Sequence, residues 1–120
     1  MSLDDLTPWL FARTSGGVRW GLDRTEKLLA GVGNPHRLFR SIHIAGTNGK
    51  GSTAALCDAA LRAEGRLRIG LYTSPHLVSF NERIRVDGVP VPETVLAEVA
   101  ERMKPAIEAE GATFFEATTA

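Results

Sequence analysis

Gly46-Thr47-Asn48-Gly49-Lys50-Gly51-Ser52-Thr53 is the stretch on which the fold turns. Just upstream, Ser41-Ile42-His43-Ile44-Ala45 alternates β-branched residues and predicts a short strand. Just downstream, residues 50–64 carry a helical pattern that Gly65 closes. A glycine-rich loop between strand and helix lies where the first helical turn has unpaired N–H groups and a partial positive charge. Glycines allow several of those N–H groups to converge on one phosphate. A lysine in the loop adds a point charge for the outer phosphates, and a hydroxyl after it can ligate Mg²⁺. The chain holds only three lysines, Lys27, Lys50 and Lys104, so one at this place carries information.

The loop departs from the usual G-x-x-x-x-G-K-[ST] pattern. Ile44 stands where that pattern has its first glycine, and Gly51 separates Lys50 from Ser52. A plain glycine-rich turn with an exposed lysine is the competing reading. Three glycines, a lysine and neighbouring hydroxyls in strand-to-helix context favour phosphate binding.

Outward from the loop, Arg68-Ile69-Gly70-Leu71-Tyr72 predicts a second strand. Strand, helix and strand make a βαβ unit, which implies parallel strands and a right-handed crossover. The turn after it, Thr73-Ser74-Pro75-His76, then falls on the same sheet edge as the glycine loop. Ser74 can offer a hard oxygen to a cation bridging phosphates, and His76 can contact phosphate or substrate. The alternative is a proline turn with solvent-facing hydroxyls. His43 reads as a core or sheet-face histidine, and His36 has no evident partner. Arg62, Arg66 and Arg68 read as a solvated face at a helix C-terminus.

The flanks are mostly helical in pattern. Leu3 to Phe11 predicts a short helix capped by Ser2 or Asp4, Thr14 to Gly17 a loop, and Leu22 to Ala30 a second helix ended by Gly31-Val32-Gly33-Asn34-Pro35. Asp87-Gly88 between Arg83–Val86 and Val89–Val91 is a hairpin signal. From Pro92 to Glu110 the helical period returns, with Val95, Val99, Met103 and Ile107 on one face. Pro92 suits the first helical position, and Pro105 is expected to kink or split this helix. Phe114 opens a further element, and Phe114 and Phe115 read as core residues on composition alone.

The chain has 120 residues, 43% hydrophobic and 23% charged, which fits one globular domain and excludes a disordered tail or disulfide scaffold. Fourteen basic residues balance fourteen acidic ones, so there is no general pull on nucleic acid or anionic membrane. A single cysteine, Cys57, in a helical pattern, reads as a small buried hydrophobe in a disulfide-independent, cytoplasmic protein. Acidic residues near Met1 do not resemble a signal peptide, and no run reaches the ~18 apolar residues of a membrane span. The C-terminal end is apolar, as expected of a fragment.

Gly46–Ser52, together with Gly70-Leu71-Tyr72-Thr73-Ser74-Pro75-His76-Leu77 and Phe80-Asn81-Glu82-Arg83-Ile84, resembles the folylpolyglutamate synthase/dihydrofolate synthase family of the Mur ligase superfamily. Gly21-Leu22-x-Arg24 and Gly33-Asn34-Pro35 extend the likeness. It implies an α/β fold, a P-loop-type three-layer α/β/α domain with a mostly parallel sheet. Residues 1–120 would form the incomplete N-terminal part of the ATP-binding domain, with the C-terminal glutamate-binding domain absent. The implied reaction joins L-glutamate to dihydropteroate or a folate through an acyl phosphate, using ATP and Mg²⁺, in a cytoplasmic, monomeric full-length enzyme. Nucleic acid and membrane are not implied partners. By position, Thr47, Asn48, Gly49, Lys50, Gly51 and Ser52 would wrap ATP, with Lys50 catalytic at its outer phosphates. Ser74 would ligate Mg²⁺, and Leu77 to Arg83 would form the mobile loop between the ATP and folate sites. Thr113, Phe114, Phe115 and Glu116 would line the pterin pocket, where aromatic faces and a carboxylate suit the ring. The family's other metal ligands and its carbamylated lysine have no counterpart here, so this chain alone is expected to be inactive. Another Mur-type amide ligase and a non-catalytic nucleotide-binding fragment are the alternatives.

Overall fold

A computed structural model describes residues 1–16 and 20–120. The order of elements is α1 (Leu3–Phe11), α2 (Asp23–Gly31), α3 (Lys50–Glu64), β1 (Gly70–Tyr72), β2 (Ile84–Val86), β3 (Val89–Pro90), α4 (Glu93–Ala109) and α5 (Phe114–Thr119). Short 3-10 turns occupy Ala12–Gly16, Pro35–Arg37 and Phe80–Arg83. The predicted loop at 14–17 is thus the end of a 3-10 turn as far as Gly16, and Gly17 lies outside the described residues. The chain forms two compact units, Met1–Arg40 with Thr94–Ala120, and Ser41–Glu93.

The first unit is helical. Ser2 caps α1 in a reciprocal box with Asp5, satisfying amides that a helix start leaves unpaired. Leu6, Leu10, Leu28, Met103, Ile107, Phe114 and Ala117 form its buried core. Phe114 stacks on Phe11 with ring centroids 4.8 Å apart. Charged side chains tie the distant segments together at the rim: Trp9 Nε1 donates to Glu108, Arg13 to the Ala112 carbonyl, and Lys27 pairs with Glu110. Helix α4 departs from expectation in two respects. It runs unbroken through Pro105, where the lost backbone bond costs ~3 kcal/mol, because Met103 and Ile107 on either side are buried. Its buried stripe is Ala97, Met103 and Ile107, while Val95 and Val99 are exposed.

The second unit carries the glycine loop. The hairpin is as predicted: Asp87 and Gly88, at φ 51° and 83°, turn β2 into β3. Asp87 also bonds Ile69 twice, its amide to the Ile69 carbonyl and its carboxylate to the Ile69 amide, each at 2.8 Å. The sheet order is β1-β2-β3, with both pairings antiparallel. The expected parallel βαβ pair is not among these pairings. Ser41–Ala45 forms no ladder among the described residues, and Ile42 remains 68% exposed. A strand exists only where a neighbour accepts its backbone bonds, and alternation alone does not supply one. His43 is accordingly exposed, not a core or sheet-face residue.

Helix α3 has the predicted bounds because Gly49 and Gly65 adopt left-handed conformations at its two ends. Its apolar side is not covered, however. Leu56 is 73% exposed, Cys57 is only half-buried, and Asp58 is the buried residue. Arg62 is not merely solvated: its Nε holds Asp58 Oδ2 at 2.9 Å. A Cβ on Gly88 would meet the Arg62 guanidinium at 2.9 Å. Gly88→Ala should therefore both strain a left-handed turn and disturb the partner of a buried carboxylate. We expect a loss of roughly 1–3 kcal/mol in urea unfolding. An unchanged midpoint would remove the Arg62–hairpin contact from the account.

Candidate functional site

The loop 46–53 is exposed throughout. Gly46 at φ 154° and Gly49 at φ 77° take conformations that L side chains rarely adopt, and a Cβ on Gly49 would point into open space. Gly49 is the N-cap of α3, and it contributes no side-chain cap. The first in-helix backbone bond closes only at Thr53, from its amide to the Gly49 carbonyl at 3.0 Å. The amides of Lys50, Gly51 and Ser52 thus lie at an uncapped helix start, the place where an anion is stabilised. Lys50 Nζ folds back to donate to the Gly46 carbonyl at 2.6 Å. That bond holds the ammonium across the loop.

Helix α3 packs against β1, so the turn leaving β1 belongs to the same compact unit. In that turn Ser74 is exposed, the Ser74–Pro75 peptide is cis, and His76 Nδ1 accepts from Arg83 Nε at 2.9 Å. Arg83 is buried, its guanidinium 5.4 Å from the Phe80 ring centroid. Glu82 accepts from the amides of Leu77, Val78 and Ser79. The Ser79 and Leu77 amides, with a smaller help from Val78 and Arg85, hold the Glu82 carboxyl below its ordinary pKa.

The other predicted segment lies in the helical unit. Thr113 and Glu116 form a reciprocal capping box at the start of α5. Burial opposes ionisation of Glu116. The Thr113 amide and hydroxyl and the Arg24 guanidinium, 2.9 Å away, outweigh it and lower the pKa. Phe114 is 3% exposed and committed to the core, whereas Phe115 is 69% exposed. The residues thus divide: Phe115 offers an open aromatic face, and Phe114 does not. Arg24, which also donates to the Gly111 carbonyl at 3.2 Å, braces the whole segment. Its role was not legible from sequence, since nothing local links positions 87 residues apart.

The donor chemistry fits nucleotide and Mg²⁺. Mg²⁺ at a nucleotide keeps several waters and phosphate oxygens and can accept a Ser or Thr hydroxyl, and the exposed Ser74 hydroxyl is an oxygen of that kind. Among the described residues there is no group of three or more His, Cys, Asp or Glu able to hold a metal ion by themselves.

No family model matches the chain. The dihydrofolate synthase/folylpolyglutamate synthase of Bacillus subtilis is 41% identical over 105 residues, covering 88% of this chain and 24% of that protein. The folylpolyglutamate synthetase of Lactobacillus casei superposes with a TM-score of 0.89 at 34% identity, over 99% of this chain and 31% of that one. The homologues of this chain are folylpolyglutamate and dihydrofolate synthases. A further member, from Mycobacterium tuberculosis, was solved with ADP and AMPPCP; it superposes at TM-score 0.85 and 35% identity, over 98% of this chain and 27% of its own. The chain therefore spans about a quarter to a third of the length of these family members. These structural matches support an α/β fold. None of the described helices is long and apolar enough to cross a membrane.

Proposed function

We propose that this chain is the ATP-binding front of a cytoplasmic ligase that joins L-glutamate to dihydropteroate or a folate. The carrying observation is the uncapped start of α3, with Gly49 left-handed and Lys50 held across the loop at Gly46. Thr47 to Ser52 would wrap the triphosphate with backbone amides, and Lys50 would neutralise its outer phosphates. Phosphoryl transfer to a carboxylate asks for positioning and charge neutralisation more than covalent help, which suits a loop of amides and one ammonium. The glutamate amine would then displace phosphate from the acyl phosphate, forming the amide. Mg²⁺ when bound would screen the phosphate charge, with Ser74 holding it. Phe115 and Glu116 would face the pterin, with Thr113 capping the helix that carries them and Phe114 anchoring it.

The exposed Ile42 and Leu56 support a further proposal. In the full-length enzyme, residues 41–45 would become an inner strand of a mostly parallel three-layer sheet, and α3 would cover one face. Residues 1–120 would then be the N-terminal part of that domain, the glutamate-binding domain lying elsewhere in the protein.

The test is ATP-dependent incorporation of glutamate into dihydropteroate or tetrahydrofolate by the full-length protein. Nucleotide binding without any ligation would leave only a binding module. Ser74→Ala should shift the Mg²⁺ concentration for half-maximal rate upward by about tenfold, the weight of one lost charge-assisted contact. A superimposable Mg²⁺ titration would take Ser74 out of the metal site.

A further inference from the structure

The dipeptide Glu82-Arg83 holds almost the whole turn that precedes it. The Arg83 carbonyl accepts the Thr73 amide at 2.9 Å. Arg83 Nε donates to His76 Nδ1, also at 2.9 Å. Glu82 Oε2 accepts from the Leu77 amide at 3.2 Å, and Oε1 accepts from Val78 and Ser79 at 2.9 and 2.7 Å. Thr73, His76, Leu77, Val78 and Ser79 are thereby fastened to two adjacent residues. What lies between the fastened points is Ser74-Pro75, with Ser74 exposed.

The apolar side chains of Leu77 and Val78 do not hold this turn. Leu77 and Val78 are 92% and 90% exposed, so their side chains bury almost nothing. A run of three amides facing one side is an anion cradle, and here the chain's own carboxylate fills it. A carboxylate accepting several amides makes charge-assisted bonds, about twice as strong as neutral ones. Arg83 supplies the inner half of the frame. It is 5% exposed and seated beneath Phe80, where His76 also packs edge-on at 5.8 Å.

We propose that Glu82 is a positioning residue for the divalent-cation site: by clamping the amides of 77–79 it fixes the turn from which Ser74 presents its hydroxyl. The effect is indirect, through the backbone, and it rests on the cation role proposed for Ser74 above. Glu82 itself, committed to three amides, touches neither nucleotide nor cation.

The experiment uses the full-length protein with Glu82→Ala, Glu82→Gln, Ser74→Ala and the Glu82→Ala/Ser74→Ala double variant. Hydrogen exchange, without nucleotide or metal, is expected to rise about tenfold or more at the amides of 77–79 in Glu82→Ala, and to stay unchanged in α3. With AMPPCP as probe, the Mg²⁺ concentration for half-maximal nucleotide binding is expected to rise about five- to tenfold in Glu82→Ala. Glu82→Gln keeps the shape but presents its NH₂ to the Leu77 amide, so it should fall between and guards against a misfolded alanine variant. The double variant should be no worse than Ser74→Ala alone, because the clamp acts only through that hydroxyl. Faster exchange with an unmoved Mg²⁺ midpoint, or additive losses in the double variant, would overturn the proposal. Failure of the site reading itself shows separately, as unweakened AMPPCP binding in Lys50→Ala.

Discussion

Lys50→Ala is expected to cut turnover of the full-length ligase about a thousandfold, with the fold intact. Removing one preorganised charge or donor from a developing anion costs about 10²–10³ in rate, and an ammonium on the outer phosphates belongs at the upper end. The side chain is exposed, and among the described residues its hydrogen bond is the one to the Gly46 carbonyl. Nothing in a hydrophobic core depends on it, so stability should stay within about 0.5 kcal/mol of the parent. Lys50→Arg is not a safe control, because a planar guanidinium cannot take the compact place of an ammonium in a tight glycine loop. Turnover measured beside a melting curve decides it. Near-normal turnover would sink the phosphate assignment. Lost turnover with a collapsed melting transition would mean that the loop bond matters to the fold after all.

The second large effect is on stability. Phe114→Ala should cost about 3–5 kcal/mol, a sizeable share of the 5–15 kcal/mol that holds a typical domain. The ring is 3% exposed, stacks on Phe11 and meets Phe115 edge-on at 5.5 Å, so its removal leaves a cavity at the meeting of α1 and α5. Phe115→Ala, one residue on and 69% exposed, should stay within about 0.5 kcal/mol. Its effect should appear instead as a raised KM for the pteridine substrate with kcat little changed. Urea unfolding and steady-state kinetics on the two variants separate the roles. A stable Phe114→Ala would contradict the packing described here, and an unmoved KM in Phe115→Ala would remove that residue from the pterin pocket.

Local chemistry was legible in the sequence, and long-range partnership was not. The bounds of α3 followed from Gly49 and Gly65, because only glycine enters and leaves a helix so cheaply through a left-handed conformation. The Asp87-Gly88 turn and the start of α1 at Ser2 followed in the same way. The strand at 41–45 did not, since Ile42 and Ile44 state a pattern without naming a neighbour. Pro105 does not split α4, because propensity is overridden when flanking residues are buried. At the candidate site, the Thr113-x-x-Glu116 and Ser79-x-x-Glu82 spacings are capping-box signatures that sequence alone could have yielded. Glu116, beside the aromatic pair Phe114-Phe115, also suits a ligand pocket, so its spacing alone does not choose between the two roles. Arg24 on Glu116, and Arg83 under Phe80, required the fold.

The helical unit is built from two stretches of chain with the loop-bearing unit between them. On a ribosome, α1 and α2 emerge first, with Leu6, Leu10 and Leu28 waiting for partners more than fifty residues behind them. Phe11 gains its stacking partner Phe114 only after the glycine loop and hairpin have been synthesised. At about 5–20 residues per second, that leaves several seconds in which the helices α1 and α2 expose leucine to solvent. Completion of this unit thus waits for α5, and chaperones have their window before that helix arrives.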